Sequence, residues 1–501
     1  MRRIHEALIR RPELLLWLIA AYYAVAVAVR ILRSDGVQTD ESEQLFLSQF
    51  LLLGYGAQPP FYNWLQYGLV HLIGPSIAAL SILKNGMLFL CCLFYGMAAR
   101  LILKDRALPY AAMLGLLALP SISVLAQRDL THAVATLWAV SFFLYAFLLA
   151  LTRPSLFAYL LTGVAVGLGA ISKYNFVVVP FAAVLAILPE AELRRRLFDR
   201  RILATIAVAA VICLPHALWV LQNLQAATVG TIRSMRDDAT GNFVLDRLSG
   251  LFMLVTSTLD SVLPIAAFCV IAFRRDLLTS WRAQSLWTRV IGRALLLCLI
   301  LVGLIGIGLG ATTISQKWLS PFVMLLPLYL CLKLDVAGGD LRGGTARLAW
   351  PVSILTFGFI AYLVIGNMVS PLLGRTAKEN LPTAAAVRAA LSEPGHPAPA
   401  FVIAGDSAMA AGARLSAPRA RVILTSFNEG PAPDPALWEK PGLVIWKSGP
   451  GDFAMPESLK TYVDAQALPG IPLDIRQVTV PYPYSGGELS ATFGYAWLNR
   501  H

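Results

Sequence analysis

The chain has 501 residues, 57% hydrophobic and only 14% charged, with 41 Lys and Arg against 29 Asp and Glu and a formal net charge of +12; its mean hydropathy is +0.66. A soluble domain carries about 25% charged residues, and one cleaved leader cannot account for apolar runs that continue to about residue 370. In a soluble protein the positive charge would point to nucleic acid, but here Lys and Arg fall in short loops between apolar runs. That is the pattern of membrane topology and leaves no nucleic-acid partner to invoke.

A membrane-spanning helix needs about 20 apolar residues. The apolar runs predict about eleven spans, at 13–33, 77–103, 109–127, 130–151, 156–172, 174–189, 202–222, 249–273, 293–311, 318–333 and 348–369. The fifth and sixth are short and read as a tight hairpin. Basic residues gather in alternate loops: Arg2, Arg3, Arg10 and Arg11; Lys104 and Arg106; Arg194, Arg195, Arg196, Arg200 and Arg201; and Arg342 and Arg347. The positive-inside rule makes that side cytoplasmic. The expected protein is a multi-pass component of a bacterial inner membrane, with a cytoplasmic N-terminus and a periplasmic tail.

The first outer loop, 34–76, contains no Lys or Arg. Within it 41–53 and 61–72 read as amphipathic helices at the membrane surface, broken by Gly54, Gly56, Pro59 and Pro60. Loop 223–248 is the second large outer loop. After residue 370 the composition shifts to Pro, Gly and Ala, and 401–404, 422–425 and 443–446 read as buried strands with a helix at 407–415 between the first two. The fold class expected is therefore an α-helical polytopic membrane domain, 1–369, followed by a small soluble α/β domain, 370–501. Gly405-Asp406-Ser407 reads as an ordinary strand-to-helix turn.

Several residues stand out chemically. Asp40 and Glu41 follow the first span; a carboxylate there, partly desolvated, suits a base, although Asp40 with Glu43 three residues on also fits a helix cap. In QPPFYNWLQ, Pro59 and Pro60 stiffen the loop, and Tyr62 and Trp64 suit headgroup depth. Asp129 and His132, expected one helical turn apart, are candidates for a shared proton or metal, or for a helix cap and a bundle hydrogen bond. Lys84 lies within the second span and Lys173 in the hairpin between the fifth and sixth, where ionisable side chains mark function. Arg233, Arg236 and Lys317 lie on the side that topology disfavours, where a lipid-linked phosphate would give them a partner; snorkelling or pairing with Asp40, Glu41 or Asp129 is the plainer reading. His216, behind Pro215, reads as a helix-kink histidine.

The order of these features resembles the GT-C glycosyltransferases of the protein-mannosyltransferase type. Within them it looks like the bacterial lipid A aminoarabinose transferase and the rhizobial lipopolysaccharide galacturonosyltransferases. The resemblance covers roughly 13–330 and implies a polyprenyl-phosphate sugar as donor and a glycolipid or protein as acceptor. It makes Asp40 the general base, Glu41 its neighbour and Asp129 a shaper of the acceptor side. Lys84, Lys173 and Lys317 become donor-phosphate contacts; Arg233 and Arg236 join them as candidates by their charge and outer-side position, and Pro59, Pro60, Tyr62 and Trp64 are candidates to border the substrate groove. Lys84 and Lys317-Trp318 depart from the family, which often has Arg and Arg-Tyr there. No cofactor is required by this chemistry; a divalent metal stays open, with Asp129 and His132 as its candidates. A base facing a phosphate leaving group implies a single inverting displacement. The alternative is a transporter or flippase of a lipid-linked sugar, which would ask for inverted halves with matched broken helices.

Overall fold

The computed structural model describes residues 2–466 and 473–498. In chain order its principal helices are α1 (Leu14–Leu32), α2 (Thr39–Leu47), α3 (Phe61–Ile73), α4 (Ile77–Ile102), α5 (Leu108–Leu117), α6 (His132–Thr152), α7 (Leu156–Ala170), α8 (Val178–Ile187), α9 (Ile202–Gln222), α10 (Leu224–Met235), α11 (Phe243–Phe273) and α12 (Leu286–Leu309). These are followed by α13 (Gln316–Ala337) and α14 (Leu341–Leu372), and the tail holds α15 (Thr383–Leu391), β1 (Phe401–Ala404), α16 (Ser407–Ser416), β2 (Arg421–Leu424), β3 (Gly442–Ser448), α17 (Glu457–Gln466), β4 (Arg476–Pro481) and β5 (Ser490–Leu498).

Among the described residues 8 helices are long and apolar enough to cross a membrane, and 9 if the bent pair Leu108–Leu117 and Ser121–Arg128 is one span. The remaining two of the eleven expected runs are the shorter helices Leu156–Ala170 and Tyr174–Ile187. The bent pair turns by 61° where Pro120 withholds an N–H and a π-helical turn, Ser121–Leu125, takes up the change.

The described residues form two compact units. The first comprises 1–25, 53–62 and 84–359. Its centre is α6, 83% of whose most apolar window is buried, against 11% for α9. That contrast separates a helix surrounded by protein from one facing lipid. Trp138 and Phe142 of α6 pack with Phe94 of α4, and Phe61 stacks on Trp138 at 5.5 Å. Glycines set the close approach of α7 to α9: a Cβ on Gly163 would lie 2.6 Å from the carbonyl of Thr205, and one on Gly167 would lie 2.8 Å from Ile212 Cβ. In α13, Pro327 interrupts the ladder, and the Tyr95 hydroxyl repairs it by donating to Met324 O at 2.5 Å and accepting from Leu328 N at 2.9 Å. Without water, such backbone groups must find a partner inside the protein.

The second unit comprises 26–52, 63–83 and 360–501. It contains a five-stranded mixed sheet in the order β2-β1-β3-β5-β4, parallel from β2 to β3 and antiparallel from β3 to β4. The three expected strands and the helix between them are present. The last two strands, unread in the sequence, complete the sheet. Asp406 caps α16 by accepting from Met409 N at 2.8 Å, the ordinary strand-to-helix turn expected of it.

The same unit includes most of the first loop. Helix α2 stops at Leu47, not at 53 as expected. It is also buried almost all round: Val37, Leu45, Ile77 and Leu80 pack on Ala411 and Leu415 of α16. Its surface is given to the tail rather than to lipid. Beyond it, the Gln49 amide donates to Val422 O at 2.9 Å and accepts from Val422 N at 3.1 Å, so one side chain covers the outer edge of β2, where an open ladder would otherwise face solvent. Phe50 stacks on Phe427 at 5.5 Å with Phe46 edge-on at 5.2 Å from the same ring, and the Arg421 guanidinium lies 4.6 Å from the Phe50 centroid.

Candidate active site

In the second unit, Asp40 and Glu41 occupy the first turn of α2. Their environments differ sharply. Asp40 is half-buried. Glu41 is buried and bonded twice to Arg30, Nη2 to Oε2 at 2.8 Å and Nε to Oε1 at 3.3 Å; its Oε2 also accepts from Gln38 N at 3.4 Å, within a capping box headed by Gln38 rather than by Asp40. Arg30 further donates to Ser34 O at 3.2 Å and Gly36 O at 3.0 Å. One guanidinium thus ties the end of α1, the turn after it and the start of α2. Glu41 holds the loop, and Asp40 is the carboxylate it presents. Arg30 was missed in the sequence; its signal is a guanidinium near the end of an apolar span, eleven residues before a buried carboxylate. Gly36 is obligatory there, since a Cβ would lie 2.1 Å from Glu379 O. In the same unit, Trp64 donates from Nε1 to Leu52 O at 2.7 Å.

In the first unit, segment 53–62 makes a tight turn: Tyr55 and Gln58 exchange backbone hydrogen bonds at 3.2 Å in both directions, with Gly56 at φ 60°. Pro59 and Pro60 are buried behind it, Phe61 N donates to Ile171 O at 3.0 Å, and the Tyr62 ring lies 5.7 Å from that of His132. Tyr62 is 1% exposed. Phe61 and Tyr62 therefore point into the helical bundle, and Tyr62 does not lie at headgroup depth as expected.

The Ile171 carbonyl belongs to the turn that presents Lys173. That turn is shaped by Gly169, where a Cβ would lie 2.2 Å from the Phe176 ring. It is tied to the start of α13 by Asn175 Nδ2, which donates to Trp318 O at 3.1 Å. It is also tied to α9 through Tyr174 and His216, whose Oη and Nε2 lie 3.1 Å apart. His216 Nδ1 in turn meets Leu53 O at 2.7 Å. The histidine read as a kink residue is thus a strut between the first-loop turn and the Lys173 turn. Lys173 interacts electrostatically with His132. Lys84 is 2% exposed on α4, and its neighbour Asn85 accepts from Gln127 Nε2 at 2.8 Å. The structure thus gathers Pro60, Tyr62, His132 and Lys173, with the Trp318 backbone beside them. Lys317 is exposed on the first turn of α13. Arg233 and Arg236 are exposed at the end of α10.

Asp129 ends the helical turn Ala126–Arg128 at φ −156°, and α6 begins only at His132. The helical spacing expected of Asp129 and His132 does not hold, because the preceding helical segment runs to Arg128, Asp129 is its C-cap, and the next helix starts only at His132. Among the described residues no three His, Cys, Asp or Glu side chains group as a metal site. An apolar groove of about 560 Å³ runs between α8 and α12, lined by Val177, Val178, Pro180, Phe181, Val184, Leu301 and Ile305. It opens four residues after Lys173.

Comparison with known proteins agrees with this picture. The family model of dolichyl-phosphate-mannose-protein mannosyltransferases matches residues 57–219. The lipopolysaccharide core galacturonosyltransferases RgtA and RgtB of Rhizobium johnstonii are 39% and 37% identical to the chain, each over 96% of it, and are themselves matched over 96% and 97% of their lengths. The crystal structure of ArnT from Cupriavidus metallidurans bound to undecaprenyl phosphate superposes with a TM-score of 0.61 at 15% identity, over 96% of this chain and 97% of that one. The fold is that of a GT-C membrane glycosyltransferase. The chain belongs to the family of the rhizobial lipopolysaccharide core galacturonosyltransferases and is an enzyme of the glycosyltransferase class.

Proposed function

We propose that the enzyme transfers a uronic acid, in the manner named for its relatives, from a polyprenyl-phosphate donor to a lipopolysaccharide on the periplasmic face of the inner membrane. The observation that carries this is 39% and 37% identity, over 96% of the chain, to two transferases named for that sugar and that acceptor. The transporter reading is set aside on the same ground.

The residues support a division of labour. A polyprenyl-phosphate sugar brings its own leaving group, so the protein must supply a base, cations and an apolar seat. Asp40, half-buried on the first turn of α2, takes the proton of the acceptor hydroxyl. The hydroxyl oxygen attacks the anomeric carbon. The bond from that carbon to phosphate oxygen breaks, its electron pair leaves with the polyprenyl phosphate, and the configuration inverts. Lys84 and Lys173 offset the charge that develops on the phosphate, at low dielectric where fixed cations count most. The α8–α12 groove, beginning beside the Lys173 turn, has the dimensions and apolar lining for prenyl units. Asp129 remains a candidate on the acceptor side.

The test is mass spectrometry of envelope glycolipids from cells with and without the gene, complemented by wild type or Asp40→Asn. Loss of one uronic-acid mass, restored by wild type only, is the expected result. An unchanged glycolipid profile would overturn it.

A further inference from the structure

The end of α10 is pinned to the chain leaving α12, because Thr312 N and Thr313 N both donate to Met235 O, at 2.9 and 3.2 Å. The next residue, Arg236, donates from Nε to Leu309 O at 2.7 Å. Helix α12 ends on Gly310 in the left-handed region, φ 67°. A Cβ built there would lie 3.7 Å from Nη2 of Arg236 and 3.8 Å from Nη1 of Arg247, so two guanidiniums meet over one glycine. Arg247, from the first turns of α11, donates to Phe243 O at 3.1 Å and lies 3.4 Å from the Phe243 ring centroid.

Two like charges at this range repel. A helix C-terminus favours one cation, and Arg236 uses that position with a single N–H. Of the neighbouring carboxylates, Asp238 accepts from Thr313 Oγ1 at 3.2 Å, and Asp246 accepts from Thr240 N and Oγ1 at 2.9 and 2.8 Å while also interacting electrostatically with Arg247. Among the described residues neither arginine has a carboxylate at ion-pair distance. Around them Phe243, Val244, Leu245 and Leu248 are exposed. Paired guanidiniums rimmed by exposed apolar side chains, on a helix that enters the membrane, match a phosphate that carries acyl chains better than a soluble anion.

We propose that Arg236 and Arg247 hold the phosphate of an anionic lipid headgroup at the C-terminus of α12. This takes Arg236 out of the donor contacts to which the sequence assigned it, and leaves the leaving phosphate to Lys84 and Lys173. The lipid is either bulk phospholipid or the phosphorylated glycolipid acceptor; both offer the same group.

The test is native mass spectrometry of the full chain released from detergent, titrated with phosphatidylglycerol, phosphatidylcholine, or a lipid A carrying or lacking its phosphates. Wild type should retain phosphatidylglycerol over phosphatidylcholine. Arg236→Gln/Arg247→Gln should weaken that retention roughly tenfold and leave phosphatidylcholine unchanged. Arg236→Lys/Arg247→Lys should recover part of it, a control that the exposed sites tolerate substitution. Phosphorylated lipid A outcompeting phosphatidylglycerol identifies the acceptor as the source; equal competition identifies bulk lipid. A wild type that does not discriminate between the two phospholipids, or a Gln variant with undiminished discrimination, overturns the proposal. No turnover is needed, so an inactive wild type would sink the transferase reading and leave this one standing.

Discussion

Arg30 and Glu41 are joined by two hydrogen bonds across eleven residues, with side chains only 9% and 4% exposed. Removing one partner strands a buried charge, which costs about 3–5 kcal/mol. Glu41→Gln is therefore predicted to lower the melting temperature of the purified protein strongly, whereas Arg30→Met/Glu41→Leu, which removes both charges, recovers most of it. A Glu41→Gln protein as stable as wild type would show that the pair does not hold the loop.

Asp40, one residue earlier, should behave in the opposite way. It lies half-exposed on the same turn, and Asp40→Asn is isosteric. Its melting temperature is predicted to stay within a degree or two of wild type, while the transfer rate falls at least about a hundredfold. Single-turnover assays with saturating donor measure this, and a rate near wild type would remove Asp40 from the proton transfer.

Lys84 is buried within a membrane helix next to the Asn85–Gln127 hydrogen bond. Lys84→Met keeps the stem and deletes the charge. The expected result is a loss in kcat/KM for donor of roughly a hundredfold, with the acceptor KM little changed and partial rescue by Lys84→Arg. Equal effects on both substrates would mean that the lysine serves folding rather than the leaving group.

Phe427 touches both Phe46 and Phe50. Phe427→Ala should destabilise the unit by about 2 kcal/mol, and should also slow transfer through the loop that carries Asp40. Stability and rate measured together decide this; a fall in stability with an unchanged rate would show that the tail braces nothing the reaction uses.

Glu190 lies between α8 and α12 in one network, bonded to Arg289 at 2.9 Å and also to Arg293. The two guanidiniums lower its carboxyl from 4.5 to about 2. A depressed folded-state value gives stability that is present above the ordinary carboxyl range and lost as pH falls toward the folded value. The melting-temperature gap between wild type and Glu190→Gln should therefore be constant from neutral pH to about 5 and narrow below 4.5, toward about 2. A gap that does not depend on pH would remove charge as its cause.

Much of this was legible from apolar periodicity alone, because span length is set by the membrane: each expected run finds a helix, a bent pair or a shorter apolar helix. The first three tail strands were equally plain as short buried runs. Strands β4 and β5 were not, since β4 is an edge strand with mixed exposure and its partner carries Gly494, whose missing side chain admits the Trp446 ring. The site was read in pieces. Asp40 and Lys173 stand out as candidates by residue type and placement alone. Arg30, His216 and Arg247 did not, because their roles depend on partners up to 163 residues away or on a glycine at the far end of another helix. The loop helix α2 was misjudged as a lipid-facing element for a related reason: its apolar face is matched by α16, which lies beyond any local pattern.

That match has a consequence for how the enzyme comes into being. The loop bearing Asp40 is synthesised first, yet its shape depends on Glu379, Val422 and Phe427, which leave the ribosome hundreds of residues later. The nascent chain can insert its helices in order, but the Asp40 loop must wait for the final fifth of translation. Truncated or stalled chains would thus populate the membrane with this loop unformed.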